Sequence, residues 1–434
     1  MFLLKNSCPS SQSELDLFTN APTATDVESG YHTECQPISN IEDSSLKFHI
    51  HNDQQDYIDL LHSYIVMTLR VENEDGSALA ANTPVAPVNN IAMTLFSQID
   101  MYLKNTLVTH SSNTAHYRAY LENLLSYGED SKKSQMTLSG WYTDTAGQFE
   151  EVTDANSGFE KRRLLAAESK PFQVLSRLHT DVGLQGRYLL NGVDIELRLI
   201  RNSNAFCLMA PQGSTYKLKI VEASFFVRKV KLSSATQLEH IKLLDKENKH
   251  AIYPLSRTEV RTFTIPAANL SAQEENLFSG QLPRRIIIGM VESQAYEGSY
   301  SKNPFNFKDF NLNYACVYRN GVQIPLKPYT PDFVNNKFAR EYFSLFQGTG
   351  RHFSDHGLQL SMADYKGGNC LFAYDFTGDL SDCGAFHLID KGSIRLELRF
   401  SQPLEASVNV IILAEWDSCL RITRERSVAL DYFK

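Results

Sequence analysis

The residue types that could carry chemistry fall into four groups, and each lacks a partner. His49-x-His51 opens a metal motif of strand-borne ligands. No Glu follows where one is needed and no later Pro-x-Gly-x-x-His completes the set, which leaves two solvent-facing histidines on a strand. His352-x-x-x-His356 with Cys370 and Cys383 offers zinc-type donors. Those histidines lie in a Gly-rich stretch where the spacing gives no shared helix face, and the cysteines are not closely paired. Lys366-Gly-Gly368 lacks the further glycine and the Lys-Ser/Thr of a phosphate loop. Asp144, Glu150, Glu151 and Asp154 could pair for acid–base work, but they crowd a polar stretch whose default is a solvated loop. No Gly-x-Ser-x-Gly elbow and no His-Glu-x-x-His helix occurs. The expectation is no catalytic residue, no cofactor and no metal, hence not an enzyme.

The elements that would have to position such residues are strands. Val193-Asp-Ile-Glu-Leu-Arg-Leu199 alternates apolar and charged residues, the period of a half-buried strand, and Ile394-Arg-Leu-Glu-Leu-Arg-Phe400 repeats it 201 residues later (394 − 193). Tyr117, Leu121, Leu124 and Leu125 share one helix face, and Phe338, Tyr342, Leu345 and Phe346 repeat that spacing 221 residues on (338 − 117). Upstream of each helix a strand runs into Lys104-Asn105 or into Asn320-Gly321, with Asn105 and Asn320 separated by 215 (320 − 105). Three echoes in one order predict two similar β-rich halves in tandem. Many short strands with few helices make the fold class all-β, two tandem sandwiches or jelly rolls with short helices in the connections.

A chain of 434 residues is long enough for two such cores, and 42% hydrophobic with 11% aromatic residues is a globular balance. The formal net charge is −8 and the basic residues are scattered, with no run longer than Lys161-Arg-Arg163, so no phosphate-tracking surface and no direct nucleic-acid binding is expected. Seven widely spaced cysteines, an odd number, predict free thiols and intracellular synthesis. The longest apolar runs are strand-length, so no transmembrane segment is expected.

The domain reading places an arm at 1–41, a first jelly roll at 42–232 and a second at 233–434. The arm is polar with isolated Leu15, Leu17 and Phe18, the composition of a segment that docks on a neighbour and a candidate for tying copies together. Residues 129–163 form a polar excursion with no counterpart in the second half, expected at the surface and dispensable for folding. Asn320-Gly321 predicts a tight hairpin turn, because both positions tolerate positive φ.

Longer motifs carry a family likeness. Leu15-Asp-Leu-Phe18, Tyr57-Ile-Asp-Leu60, Tyr127-Gly-Glu-Asp-Ser-Lys-Lys-Ser-Gln135, Arg187-Tyr-Leu-Leu-Asn191, Asn276-Leu-Phe-Ser-Gly-Gln-Leu-Pro283 and Pro304-Phe-Asn-Phe307 resemble the major capsid protein of Maverick/Polinton elements and their adintovirus relatives, from about Leu15 to the C-terminus. The resemblance implies a double jelly roll and a homotrimer that forms one pseudo-hexameric capsomer. It implies neighbouring capsomers in an icosahedral virion shell, a single-jelly-roll penton partner at the vertices, and synthesis in a eukaryotic host. A bicupin-like metal enzyme resting on His49 and His51, and a soluble carbohydrate-binding jelly-roll protein, are the alternatives from other classes.

Overall fold

The computed structural model describes residues 13–41, 44–53, 55–354, 357–378, 380 and 385–431. In the first half the strands are β1 (Val27–Cys35), β2 (Ser45–Ile50), β3 (Tyr57–Asn73), β4 (Phe96–Leu103), β5 (Thr106–Leu107), β6 (Phe172–Ser176), β7 (Ile195–Arg201) and β8 (Tyr216–Leu232). In the second they are β9 (Ala251–Ile265), β10 (Ser271–Gln281), β11 (Arg285–Glu292), β12 (Leu312–Arg319), β13 (Val322–Tyr329), β14 (Leu371–Asp375), β15 (Lys391–Phe400) and β16 (Val408–Ile422). The helices used below are α1 (Ala115–Ser126), α2 (Ser157–Ala166), α3 (Ser234–Asp245) and α4 (Ala339–Gly348).

The first half forms two antiparallel sheets with strand orders β1-β8-β3-β6 and β2-β7-β4-β5, and the second forms β9-β16-β11-β14 and β10-β15-β12-β13; outside these frames Ala86–Pro87 pairs with Leu208–Met209, and Val428–Leu430 adds to β16. Adding eight to each strand number of the first half gives the second. Each half is therefore one jelly roll, two four-stranded sheets closed over a core. Rings from facing sheets meet inside each: Phe48 of β2 lies 6.1 Å from Phe225 of β8, and Phe278 of β10 lies 5.3 Å from Trp416 of β16. The repeated strands are β7 and β15, each second in its sheet. Ile195, Leu197 and Leu199, and Ile394, Leu396, Leu398 and Phe400, are all buried. Burying each such side chain contributes about 1.5 to 3 kcal/mol, which is why the alternation fixes the face.

The register of the repeat differs from the expected one. Ile195 lies opposite Leu103 and Ile394 opposite Arg319, the last residues of β4 and β12, so the equivalent positions are 199 apart (394 − 195). A shift of two residues along a strand keeps every side chain on its face, so alternation alone could not choose between 199 and 201. The turns slip as well: Lys104-Asn105 links β4 to β5 and Asn320-Gly321 links β12 to β13, which sets Asn320 against Lys104. Phe338 is the residue before α4, not part of its face, and stacks 5.2 Å from Phe333.

Two expectations are corrected. Val27–Cys35, assigned to the arm, is the edge strand β1, with Gly30 opposite Val230 of β8. Most of its residues face solvent on both sides, so it shows no alternation. The arm therefore ends near residue 26. The excursion is no solvated loop either: Trp141, Phe149, Phe159, Arg162 and Asp144 within it are buried. It contains α2, capped by Asn156, whose side chain accepts from the Phe159 N–H. Helix α1 begins after Thr114, and α3 is capped by Ser233, whose side chain accepts from the Thr236 N–H.

Candidate functional site

The residues of lowest exposure and densest polar pairing outside the two sandwiches lie on the seam between them. An aromatic cluster spans it. Tyr117 and Tyr120 of α1 meet the link between β11 and β12, with Tyr120 stacked on Phe305 at 4.1 Å and Tyr117 on Tyr296 at 5.8 Å. Trp141 from the excursion stacks on the other face of the cluster, 5.1 Å from Tyr120. Each well-placed aromatic pair adds about 0.5 to 1.5 kcal/mol beyond area burial, so the cluster fixes the angle between the lobes.

Two buried charge networks flank the rings. Arg118 of α1 pairs with Asp181 at 2.7 Å and Glu122 at 2.8 Å, and donates to the Thr258 carbonyl of β9 at 3.2 Å. His179 lies 2.6 Å from Glu122. Burial would raise the Glu122 carboxyl, but Arg118 and His179 outweigh it and hold it down at about 2. His116, between the rings of Tyr117 at 4.5 Å and Phe206 at 4.4 Å, is pushed down to about 3 by burial and is neutral.

On the other side, Arg162 and Asp144 form a fully buried pair at 2.7 Å. Arg162 also donates to the carbonyls of Pro87 and Tyr142, while Asp144 accepts from Asn156 and from Asn303 of the second lobe. Glu150 reaches across to Lys302 at 3.1 Å and Lys308 at 2.8 Å, which Glu292 neutralises from below. Gly367 accepts from the Gly147 N–H at 2.7 Å. At Gly368, with φ +135, a Cβ would stand 2.6 Å from the Phe149 ring, so the backbone approaches as closely as glycine allows.

The structure thus places the chemistry-bearing groups as follows. Asp144 and Glu150 are seam residues, a correction to their reading as loop acids, whereas Glu151 and Asp154 stay exposed. Lys366 donates to the Phe333 carbonyl and the Asn336 side chain, and its two glycines dock the second lobe onto the excursion. His49 is exposed on β2 opposite Glu196, and His51 lies 2.9 Å from Asp194. His352 is half-buried against Phe343 and Phe353, while burial pushes the Cys370 thiol well up, keeping it protonated. His356 and Cys383 lie outside the described residues. Among the described residues no group of three or more His, Cys, Asp and Glu side chains could hold a metal ion, and Cys35, Cys207, Cys316, Cys370 and Cys419 are free. Asn320 and Gly321, at φ 51 and 80, form the turn, where the Asn320 side chain accepts from the Ser393 N–H at 3.0 Å. Leu15, Leu17 and Phe18 are 68%, 75% and 98% exposed.

Arg118, Arg162 and Asn303 were missed. Arg162 sat inside the Lys161-Arg-Arg163 run and read as surface charge. Its signal was Asn156 followed by Phe159, a cap and first turn that bury the next turn's face. Phe305 and Phe307 belong to the Pro304-Phe-Asn-Phe307 motif, and Arg187-Tyr-Leu-Leu-Asn191 is also at the seam, where Arg187 donates to the Ile252 carbonyl and Leu190 to the Tyr253 hydroxyl.

No known family model matches the chain. An uncharacterized protein of Caenorhabditis elegans is 27% identical over 398 residues, covering 89% of this chain and 93% of that protein. Solved structures align over nearly the whole chain at low identity. The Sputnik virophage structure matches with TM-score 0.64 at 12% identity, covering 98% of this chain and 93% of its own. The capsid of the virus PBCV-1 gives 0.58 at 10%, covering 96% and 99%. The mavirus major capsid protein gives 0.56 at 7%, covering 98% and 95%. These likenesses define the class: the fold is the double jelly roll.

Proposed function

We propose that this chain is the major structural subunit of an icosahedral virus-like shell, a capsid protein of the Maverick/Polinton and adintovirus kind. The observation that carries the reading is the strand-for-strand equivalence of two lobes locked by one seam. Three such chains around a three-fold axis present six similar lobes, so one gene product can tile a hexagonal lattice. Proteins whose names state a capsid role share the fold along their full length, which supports the same role here. A relative of nearly equal span in a nematode fits a gene carried in animal genomes.

In this reading the lobes do no chemistry and the product is surface complementarity. The chain is a homotrimer, its neighbours are further capsomers and a single-jelly-roll penton protein, and it is made in a eukaryotic cell before entering the virion. The test is electron microscopy of the purified full-length protein. Hexagonal capsomers or closed shells are expected, and particles of one chain only would overturn the reading.

A further inference from the structure

Beneath α3 lies an apolar pocket of about 560 Å³ whose floor includes Leu190, Leu232, Leu244 and Tyr253. Tyr57 and His240 join across it at 2.9 Å. The helix above is only partly seated: Leu244 is buried, whereas Leu238 and Ile241 are exposed, as are Ile252 and Tyr188 at the mouth. The described lining includes His62, Arg187, His240, Lys249 and His250 and no carboxylate. Of the acids close by in sequence, Glu247 is paired with Lys249 at 2.7 Å and Asp245 with Arg424 at 3.0 Å, while Lys242 and Lys246 are exposed. Glu239 and Asp245 are the exposed acids of α3. His62 is paired in turn with Asp59 at 2.7 Å, so the site is an apolar cup whose rim carries Arg187, three imidazoles and the Lys249–Glu247 pair, of a size that holds a few side chains.

The arm is its chemical complement. Glu14-Leu-Asp-Leu-Phe18 alternates acids with large apolar residues and contains no base. Its path starts at the same place: the Asp26 carbonyl accepts from the Ser233 N–H at 2.8 Å, at the cap of α3. Phe18 lies eight positions before Asp26 (26 − 18), an extended reach of about 27 Å, against about 18 Å for the length of α3. Yet the arm of the same chain leaves the pocket open, with Leu15, Leu17 and Phe18 all in solvent.

We infer that the Glu14–Phe18 segment of one copy docks in the pocket beneath α3 of a second copy, with its apolar residues in the cup and its acids on the basic rim. The inference rests on the capsid reading, since copies must meet, and it names the surface on which they are tied. Exposed apolar residues on both partners leave water together, and the charges set orientation.

The test uses the full chain with a benzophenone side chain replacing Phe18, mixed as equal parts of heavy-isotope and ordinary protein, illuminated, and mapped by mass spectrometry. Expected are cross-links to residues 186–190 and 238–253 that join heavy to light copies. Ile252→Glu, at an exposed position, places an acid at the rim and should lower their yield about tenfold, the loss of roughly one good contact. Cross-links to the pocket within single copies only would overturn the inference, as would links elsewhere. Light scattering on the same samples separates the two failures. Assembled protein with no pocket cross-link overturns the docking alone, and strictly monomeric protein overturns the docking and the capsid reading together.

Discussion

The two lobes share the eight strands of the jelly roll and differ most in what lies between the helix and the sixth strand. In the first lobe 45 residues separate α1 from β6 (172 − 126 − 1), and in the second 22 separate α4 from β14 (371 − 348 − 1). The longer insert is polar in composition but buries Trp141, Phe149, Phe159 and the Arg162–Asp144 pair, and it meets the second lobe through Asp144 at Asn303, Phe149 at Gly368 and Glu150 at Lys302 and Lys308. The difference teaches that a duplicated frame supplies two similar outer surfaces, while an unduplicated wedge makes the two copies into one rigid unit. Fixed lobes suit the proposed lattice role, since a hinge would blur the angles at which neighbouring copies meet.

Predictions that test this contrast run from the wedge outward. Asp144→Ala leaves Arg162 buried without its partner and should cost about 3 to 5 kcal/mol in urea unfolding. Asp154→Ala, on the exposed part of the same insert, should change stability by less than about 0.5 kcal/mol. Equal effects would return the whole excursion to the surface. Gly368→Val drives a branched side chain into the Phe149 ring at a positive φ, and a loss on the order of 3 kcal/mol is expected by thermal or chemical melting.

Acid should act first on the first lobe. His116, second residue of α1, is held neutral in the fold, with a pKa lowered from 6.5 to about 3, and its counterpart on α4 is the exposed Arg340. A folded value below the unfolded one means the unfolded chain binds the extra proton. Stability from this group is complete above about pH 6.5 and falls as pH drops toward 3, by about 2 kcal/mol at pH 5. His116→Phe should flatten that slope, and an unchanged pH profile would remove His116 as its source. Glu122, held at about 2, adds its own loss only below about pH 4.5. Gly321→Val should lower stability in thermal melting by less than Gly368→Val, on the order of 1 to 2 kcal/mol, because a Cβ there meets nothing within 4 Å and only the φ of 80° is strained.

Much of the frame was legible because alternation reports which face is buried. Ile195 to Leu199 and Ile394 to Phe400 alternate in the sequence and lie on β7 and β15, each with its apolar residues buried. The strands missed, β1 and β10, are both sheet edges that turn mostly polar or exposed residues outward, so periodicity had nothing to report. Register was invisible because a two-residue slip preserves the pattern. The seam was illegible for a different reason: Arg162, Asp144 and Asn303 are polar residues buried by mutual satisfaction, and composition reads each as solvent-facing until the partner from the other lobe is known. The motifs that carried the family likeness mark several of these positions, among them Phe305, Phe307 and Arg187, without saying why.

The central claim is that three two-lobed chains close into one six-lobed unit. Sedimentation equilibrium of the full-length protein over a wide concentration range tests it most directly. The account predicts a species of three times the chain mass, alone or in equilibrium with larger assemblies. A single species of one chain mass at the highest concentration would contradict it.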